Sequence, residues 1–355
     1  HDPYTGKCFD SIDNYHGVKG ASGRMYAKSE IESMLVEAGW ERMKFYSVLP
    51  RLEEAVFLYA EGQLPKEELG NRLFPSYNYP QSLFLNEETL YRYLADNGIF
   101  HAMTNAYMVE CSTDGKFADA LYVTTSLERG RENAMLTIVH ADGTVSKEVA
   151  YPEGRERLNR LDDNMRRLQK AGVPVVRGHI DAAGRYVMPY IQEVTGQVYL
   201  RDLLLRDKDE FIAAMDTFKE AILSASPTHM GEYTDAKGNK GKAELFDRAF
   251  LDMVPLNSFY INGKFVFFDQ EFMKENYPVS VVLTRMISTF YAGAEGQKLE
   301  KVLPSSVLYA RYGLLETHMT WLEMEWEFLD NLKQDNLLAA YHKKVRRNDA
   351  LVVAN

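Results

Sequence analysis

Asp252, Asn257 and Asp269 are the residues whose types and spacing most directly suggest chemistry. The segment Asp252-Met253-Val254-Pro255-Leu256-Asn257 sets an Asp and an Asn five positions apart in a Pro-containing loop. An apolar run follows and ends at Asp269-Gln270-Glu271, with Asp269 twelve positions after Asn257. This set suits phosphoryl transfer. One Asp can take the proton of an attacking hydroxyl, while an Asn and a second Asp hold Mg²⁺ on the phosphates of ATP. Glu271 reads either as a further Mg²⁺ ligand, since hard cations prefer oxygen, or as an orienting carboxylate. Asn262-Gly263 favours a tight turn, so the strand after it would deliver Asp269 beside Asn257. An Asp in a turn before an ordinary hairpin is the bland alternative.

The elements that must position these residues can be sketched from the pattern. Segments 120–125, 134–140 and 145–150 read as three consecutive strands, and Asp142-Gly143 marks the turn between the last two. Lys147 sits centrally in the third. An Arg-rich helix is expected over 153–171, then a strand at 173–177, a turn at 181–184 and a strand at 186–190. Segments 200–205 and 209–224 read as helices, as do 279–293 and 303–345, with Trp321, Leu322, Trp326, Phe328 and Leu329 as core. Residues 227–243, with Gly231, Asp235, Gly238, Asn239 and Gly241, read as a mobile loop. Nearer the start, Ser29 and Glu32 form a capping box. The helix it opens has Ile31, Met34, Leu35 and Ala38 on its apolar face and ends at Gly39. Strands are expected at 43–49 and 55–59. Residues 61–112 read as mainly helical, with a Leu90, Tyr93, Leu94 face and a short strand at 105–110.

The loop and the DQE segment resemble the catalytic loop and metal-binding Asp of the protein-kinase-like fold, with D-x-x-P-x-N and DQE in place of HRD-x-x-x-x-N and DFG. The resemblance implies an α+β fold of two lobes, a small β-sheet N-lobe over 113–190 and a helical C-lobe over 191–355. It implies that Asp252 is the catalytic base and that Asn257 and Asp269, with Glu271, hold the metal. It also implies that Lys147 pairs with the ATP phosphates and with a helical Glu. Glu156 is the first candidate for that Glu and Glu153 the second, with Asp163 left open. The glycine-rich loop is missing as such. Ser126, Arg129 and Arg131, in the turn after the first strand, are the candidates to hold phosphate, through backbone amides and guanidinium groups. Tyr190 and Glu193 mark the hinge and are nucleotide-binding candidates. Arg177, His179 and Tyr186 read as structural, and His229, Lys240 and Lys242 as contacts for an anionic acceptor. Phe250 replaces the usual His and Glu271 the usual Gly, which keeps a pseudokinase open.

A second resemblance lies ahead of this domain. Asp2-Pro3-Tyr4-Thr5-Gly6, Phe9-Asp10-Ser11-Ile12, Gly23-Arg24, Phe45-Tyr46 and Pro50 resemble the end of a class I methyltransferase domain, in a bacterial family where a kinase-like domain follows it. Residues 1–60 would then be a helix–strand–strand methyltransferase remnant, and 61–112 a helical connector. The glycine-rich strand-turn-helix that binds S-adenosylmethionine is not in this chain. That cofactor is therefore expected only of the intact protein, and residues 1–60 should expose apolar strand surface. Related O-antigen chain terminators phosphorylate and methylate the end of a glycan. The resemblance thus implies ATP- and Mg²⁺-dependent phosphorylation of a sugar hydroxyl in bacterial surface-polysaccharide biosynthesis, in the cytoplasm at the inner face of the membrane. Its partners would be nucleotide, a glycan or sugar acceptor and polysaccharide-assembly proteins. A pseudokinase scaffold for a methyltransferase or glycosyltransferase is the alternative, and the C-terminal part of a methyltransferase is a third.

Composition bounds these readings. The 355 residues allow a large core, and a net charge of −10 argues against a general nucleic-acid surface. Two cysteines, Cys8 and Cys111, make neither a disulfide scaffold nor a structural zinc site and fit a reducing cytoplasm. There is no H-x-x-x-H, C-x-x-C or G-x-S-x-G motif, and no apolar run approaches the roughly 20 residues of a membrane span. The start at His1 is expected of a fragment or processed chain.

Overall fold

The computed structural model describes residues 26–49, 55–65 and 87–332. The motifs at 2–24 and Pro50, and the end of the helix expected over 303–345, lie outside them. The chain forms two compact units. Among the described residues, one takes those up to Gly130 and 134–143, and the other takes 131–133 and 144–332. The fold class is α+β, with antiparallel sheet towards the N-terminus and mostly helix towards the C-terminus.

The first unit holds α1 (Lys28–Glu37), β1 (Met43–Leu49), β2 (Phe57–Ala60), α2 (Glu87–Asp96), β3 (Ala106–Cys111), β4 (Ala120–Thr125) and β5 (Met135–His140). Its strands are antiparallel neighbours in the order β3-β1-β2-β4-β5. β1 is therefore an interior strand, with Tyr46 opposite Ala60 on one side and Met108 on the other. Residues 45–49 are all buried. The expected exposure of apolar strand surface is overturned for β1, because β2 and β3 cover both of its edges. The piece expected as a methyltransferase remnant, β3 of the expected connector and the first expected N-lobe strands share one sheet. An aromatic cluster closes it: Tyr59 lies 4.7 Å from Tyr122 and 5.4 Å, edge-on, from Phe100. The helix start also differs from expectation. Glu30 accepts from the Ala27 N–H at 2.8 Å, while Glu32 pairs with Lys28 instead of capping through Ser29.

The second unit begins with β6 (Thr144–Val149), α3 (Arg155–Lys170), β7 (His179–Ile180) and β8 (Tyr186–Pro189). β8 lies between β6 and β7, and pairs Tyr186 with Lys147. α3 is amphipathic for a simple reason. Leu158, Leu161, Met165 and Leu168 recur at helical spacing and are buried. The strand expected at 173–177 does not join this sheet. Its backbone crosses to a later strand instead: Val176 N–H donates to Phe267 O and Phe267 N–H to Pro174 O, at 2.8 and 2.9 Å.

After α4 (Gly196–Arg206) and α5 (Lys208–Ser224) come β9 (Thr228–Thr234) and β10 (Lys240–Phe250). These correct the expected mobile loop at 227–243. Gly231 and Gly241 are strand residues there, opposite Ala243 and Tyr233, and a Cβ would run into the Leu245 side chain at the first and the Tyr233 side chain at the second. β11 (Ser258–Ile261) and β12 (Lys264–Phe267) form the hairpin expected around Asn262-Gly263. Both turn residues have positive φ, 51° and 78°. β13 (Met273–Pro278) pairs with β10. α6 (Val279–Phe290), α7 (Gly293–Val302), α8 (Ser305–Arg311) and α9 (His318–Leu332) complete the unit. The core runs through Leu200, Phe211, Phe218, Phe267, Ile287 and Phe290, with Trp321 and Phe328 as expected.

Candidate functional site

Each chemical residue is placed by a recognisable local device. Asp252 follows β10 directly, and Asn257 closes a short turn that Pro255 opens. Phe268 N–H donates to Asn257 O at 3.0 Å, so the end of the β11–β12 hairpin is tied to the loop ahead of it. The chain then turns sharply. Asp269 has φ of +59°, a conformation that costs a non-glycine residue energy and clusters at functional positions. That turn directs both Asp269 and Glu271 to Lys147. The lysine ammonium is ion-paired with both carboxylates, bridging more than 120 positions of chain.

The electrostatics follow from burial. Lys147 and Glu271 are buried, whereas the Asp269 side chain is 26% exposed and is the open member of the set. Burial alone would push the Lys147 ammonium down. Asp269 and Glu271 outweigh it and hold the group above the ordinary lysine value. Asp252 is buried as well, and desolvation lifts its carboxyl to about 6, against the pull of the Arg285 guanidinium and with a further push from Glu271 and Asp269. Its Oδ2 accepts from the Phe272 N–H at 2.9 Å, and Arg285 stands 3.7 Å from Oδ1. A carboxylate that titrates near neutrality suits a general base.

Several positioning residues were not legible in the sequence. Gln270 is fully buried, and its amide donates to Asp252 O and Phe268 O at 2.9 and 2.7 Å. It ties the loop to the DQE segment. Arg285 of α6 donates to Leu251 O and pairs with Glu325 of α9, both at 2.7 Å. Asn164 of α3 donates to Gln270 O at 2.8 Å. A half-buried arginine thirty-three positions after Asp252 carries no motif, and the single available hint was polar residues inside otherwise apolar helix faces.

The expected Lys147–Glu156 pair is not formed. Glu156 is exposed and pairs with Arg160. The helix period puts it opposite the buried Leu158–Leu161–Met165 face. Glu153 pairs with Arg131 at 2.8 Å, and Asp163 with Arg167 at 2.7 Å. Arg131 also lies over the Tyr151 ring, at the surface. Ser126 is buried and exchanges hydrogen bonds with Met135, so its hydroxyl serves the strand pair. Arg129 is half-buried on a single helical turn, and Tyr190 and Glu193 lie in the irregular link between β8 and α4. His229 pairs with Asp247 at 2.8 Å, while Lys240 and Lys242 are strand residues of β10.

Oxygen donors that fit Mg²⁺ are present as Asp269 and the Asn257 amide. The Asn257 nitrogen donates to Asp252 O at 3.2 Å, which leaves its Oδ1 as the atom chemically suited to a cation. Among the described residues, no group of three His, Cys, Asp or Glu side chains forms a metal site. No helix among them is long and apolar enough to cross a membrane.

No protein-family model matches the chain, and no curated protein matches it in sequence. Among solved structures, a choline/ethanolamine kinase family protein from Mesorhizobium loti is similar at 13% identity and a TM-score of 0.29, over 61% of this chain and 84% of that one. A likeness this slight transfers no function, so the functional argument rests on the site itself.

Proposed function

We propose that the second unit is a kinase-like phosphotransferase that uses ATP and Mg²⁺. One observation carries the reading: a lysine from a central strand is ion-paired with the two acids of the DQE segment. Gln270 ties that segment to Asp252, and Asn257 lies on the same loop. Asn257 and Asp269 would hold the cation, and Lys147 the nucleotide phosphates. The bound cation supplies positive charge to the phosphates and the leaving oxygen. Asp252 takes the proton of the acceptor hydroxyl, with Arg285 and the Phe272 N–H fixing its carboxylate.

The acceptor is proposed from the sequence resemblance alone. It would be a sugar hydroxyl of a bacterial surface polysaccharide, modified in the cytoplasm at the inner face of the membrane beside polysaccharide-assembly proteins. The same resemblance assigns S-adenosylmethionine and methyl transfer to the intact protein. A second reading, a pseudokinase scaffold, is favoured by the burial of Asp252 against the Phe272 amide. Calorimetry of ATP with and without Mg²⁺ tests the nucleotide reading. Binding that Mg²⁺ tightens supports it, and no binding in either condition ends it. Binding without turnover on any cell-envelope glycan fraction selects the scaffold.

A further inference from the structure

In the arrangement expected from the sequence, a glutamate on the helix after β6 orients the nucleotide lysine. α3 cannot supply one. Its carboxylates Glu156, Asp162 and Asp163 are each engaged by an arginine four positions on, Arg160, Arg166 and Arg167. Its buried polar residues are Asp162, held by Arg166, and an amide. Asn164, buried, donates to the backbone oxygen of Gln270. Arg157 of the same helix lies over the Phe272 ring at 4.3 Å. α3 thus grips the chain immediately before and immediately after Glu271. Glu271 itself is buried and ion-paired with Lys147.

We infer that Glu271 is the positioning residue for Lys147, replacing a helix carboxylate with one carried by the DQE segment, and that α3 acts on the lysine only through its hold on that segment. This rests on the phosphotransfer reading and adds a role to it. The lysine and the metal-holding Asp269 are then set by one three-residue turn, so they move together and not with α3. A buried carboxylate already neutralising an ammonium is also a poor further ligand for a divalent cation.

The test is nucleotide affinity, measured by calorimetry with and without Mg²⁺ on the whole chain. Wild type, Glu271→Gln, Glu156→Gln, Lys147→Met and the Lys147→Met/Glu271→Gln double variant are compared. Glu271→Gln is expected to weaken ATP binding about tenfold or more, by a similar factor in both conditions. Glu156→Gln should stay within about twofold of wild type. In the Lys147→Met background, Glu271→Gln should add nothing, since it acts through the lysine. Three results overturn the inference: a Glu156→Gln loss as large as that of Glu271→Gln, a Glu271→Gln loss confined to Mg²⁺, or full additivity in the double variant. Should Glu271→Gln not fold, Glu271→Asp keeps the buried charge but shortens its reach. A several-fold weaker affinity is then expected, and wild-type affinity overturns the inference. Wild type that binds no ATP removes the phosphotransfer reading and this role together. Wild type that binds, with Glu271→Gln unchanged, removes this role alone.

Discussion

Acids and bases meet in two settings in the second unit. Along the outer face of α3, Glu156–Arg160 and Asp163–Arg167 are helix pairs four residues apart, open to water. Between β6 and the end of the β11–β12 hairpin, the buried Lys147 meets the buried Glu271 and the partly exposed Asp269. The residue types are similar, but the consequences differ. Water screens the α3 pairs and the side chains give up entropy to form them, so each contributes little. Lys147 and Glu271 have already lost most of their hydration, so removing either partner leaves the other's buried charge poorly compensated. Identity of residues does not tell these cases apart; burial does.

The largest expected effect lies at the buried end of this comparison. Asp252→Asn should cut phosphoryl transfer, or the slow hydrolysis of ATP by water, by about 10²–10⁴ while leaving nucleotide affinity near wild type. Steady-state kinetics beside calorimetry would show it, and an equal loss of affinity would make Asp252 a binding group.

Next comes Lys147→Met. It removes the cation paired with the buried Glu271, and a urea titration at pH 7 should show a loss of about 3–5 kcal/mol. Part of the loss should return as the pH falls and the buried carboxylate takes a proton. Stability within experimental error of wild type would mean that the cluster is hydrated and the contrast with α3 is empty.

Asp252 gives the comparison a pH signature. Its folded carboxyl titrates at about 6, above its ordinary 3.8. Below pH of about 4 the group is neutral folded and unfolded, and its burial carries no charge penalty. As pH rises towards 6 the unfolded chain releases the proton first, so stability falls, by about 3 kcal/mol across that window. Asp252→Asn has no such proton and should gain on wild type over the same window. Parallel pH profiles of the two proteins would contradict a carboxyl raised by burial.

A smaller effect is expected at Gly196. A Cβ there would lie 2.3 Å from Ser258 Oγ and 3.0 Å from Pro255 O, which is backbone of the loop that carries Asp252 and Asn257. Gly196→Ala should cost about 1–3 kcal/mol and raise KM for the nucleotide as the loop shifts. The smallest effect is Glu156→Gln on the open face of α3, with Tm expected within about 2 °C of wild type.

Much of this was legible before the structure. Asn262-Gly263 has few conformations other than the turn it forms, so the hairpin and the delivery of Asp269 followed from local stereochemistry. The helix over 153–171 was expected as well, and the period of Leu158, Leu161, Met165 and Leu168 is its physical reason. The same wheel also placed Glu156 on the outer face, so the Lys147–Glu156 pairing was an error of analogy and not of missing information. The β9–β10 hairpin was missed because Gly231 and Gly241 look like flexible points. Their role, making room for Leu245 and Tyr233, depends on a partner strand.

By itself, then, the sequence determined what short-range sterics and periodicity control: the turns, the amphipathic helices, and the spacing of Asp252, Asn257 and Asp269 around a tight hairpin. Only the tertiary structure decided which carboxylates face Lys147, that Gln270, Asn164 and Arg285 hold the loop and the DQE segment in place, and that β1 and β2 belong to the same sheet as β4. These are contacts between residues tens to more than a hundred positions apart. They depend on which polar groups lose water together, and no local pattern encodes that.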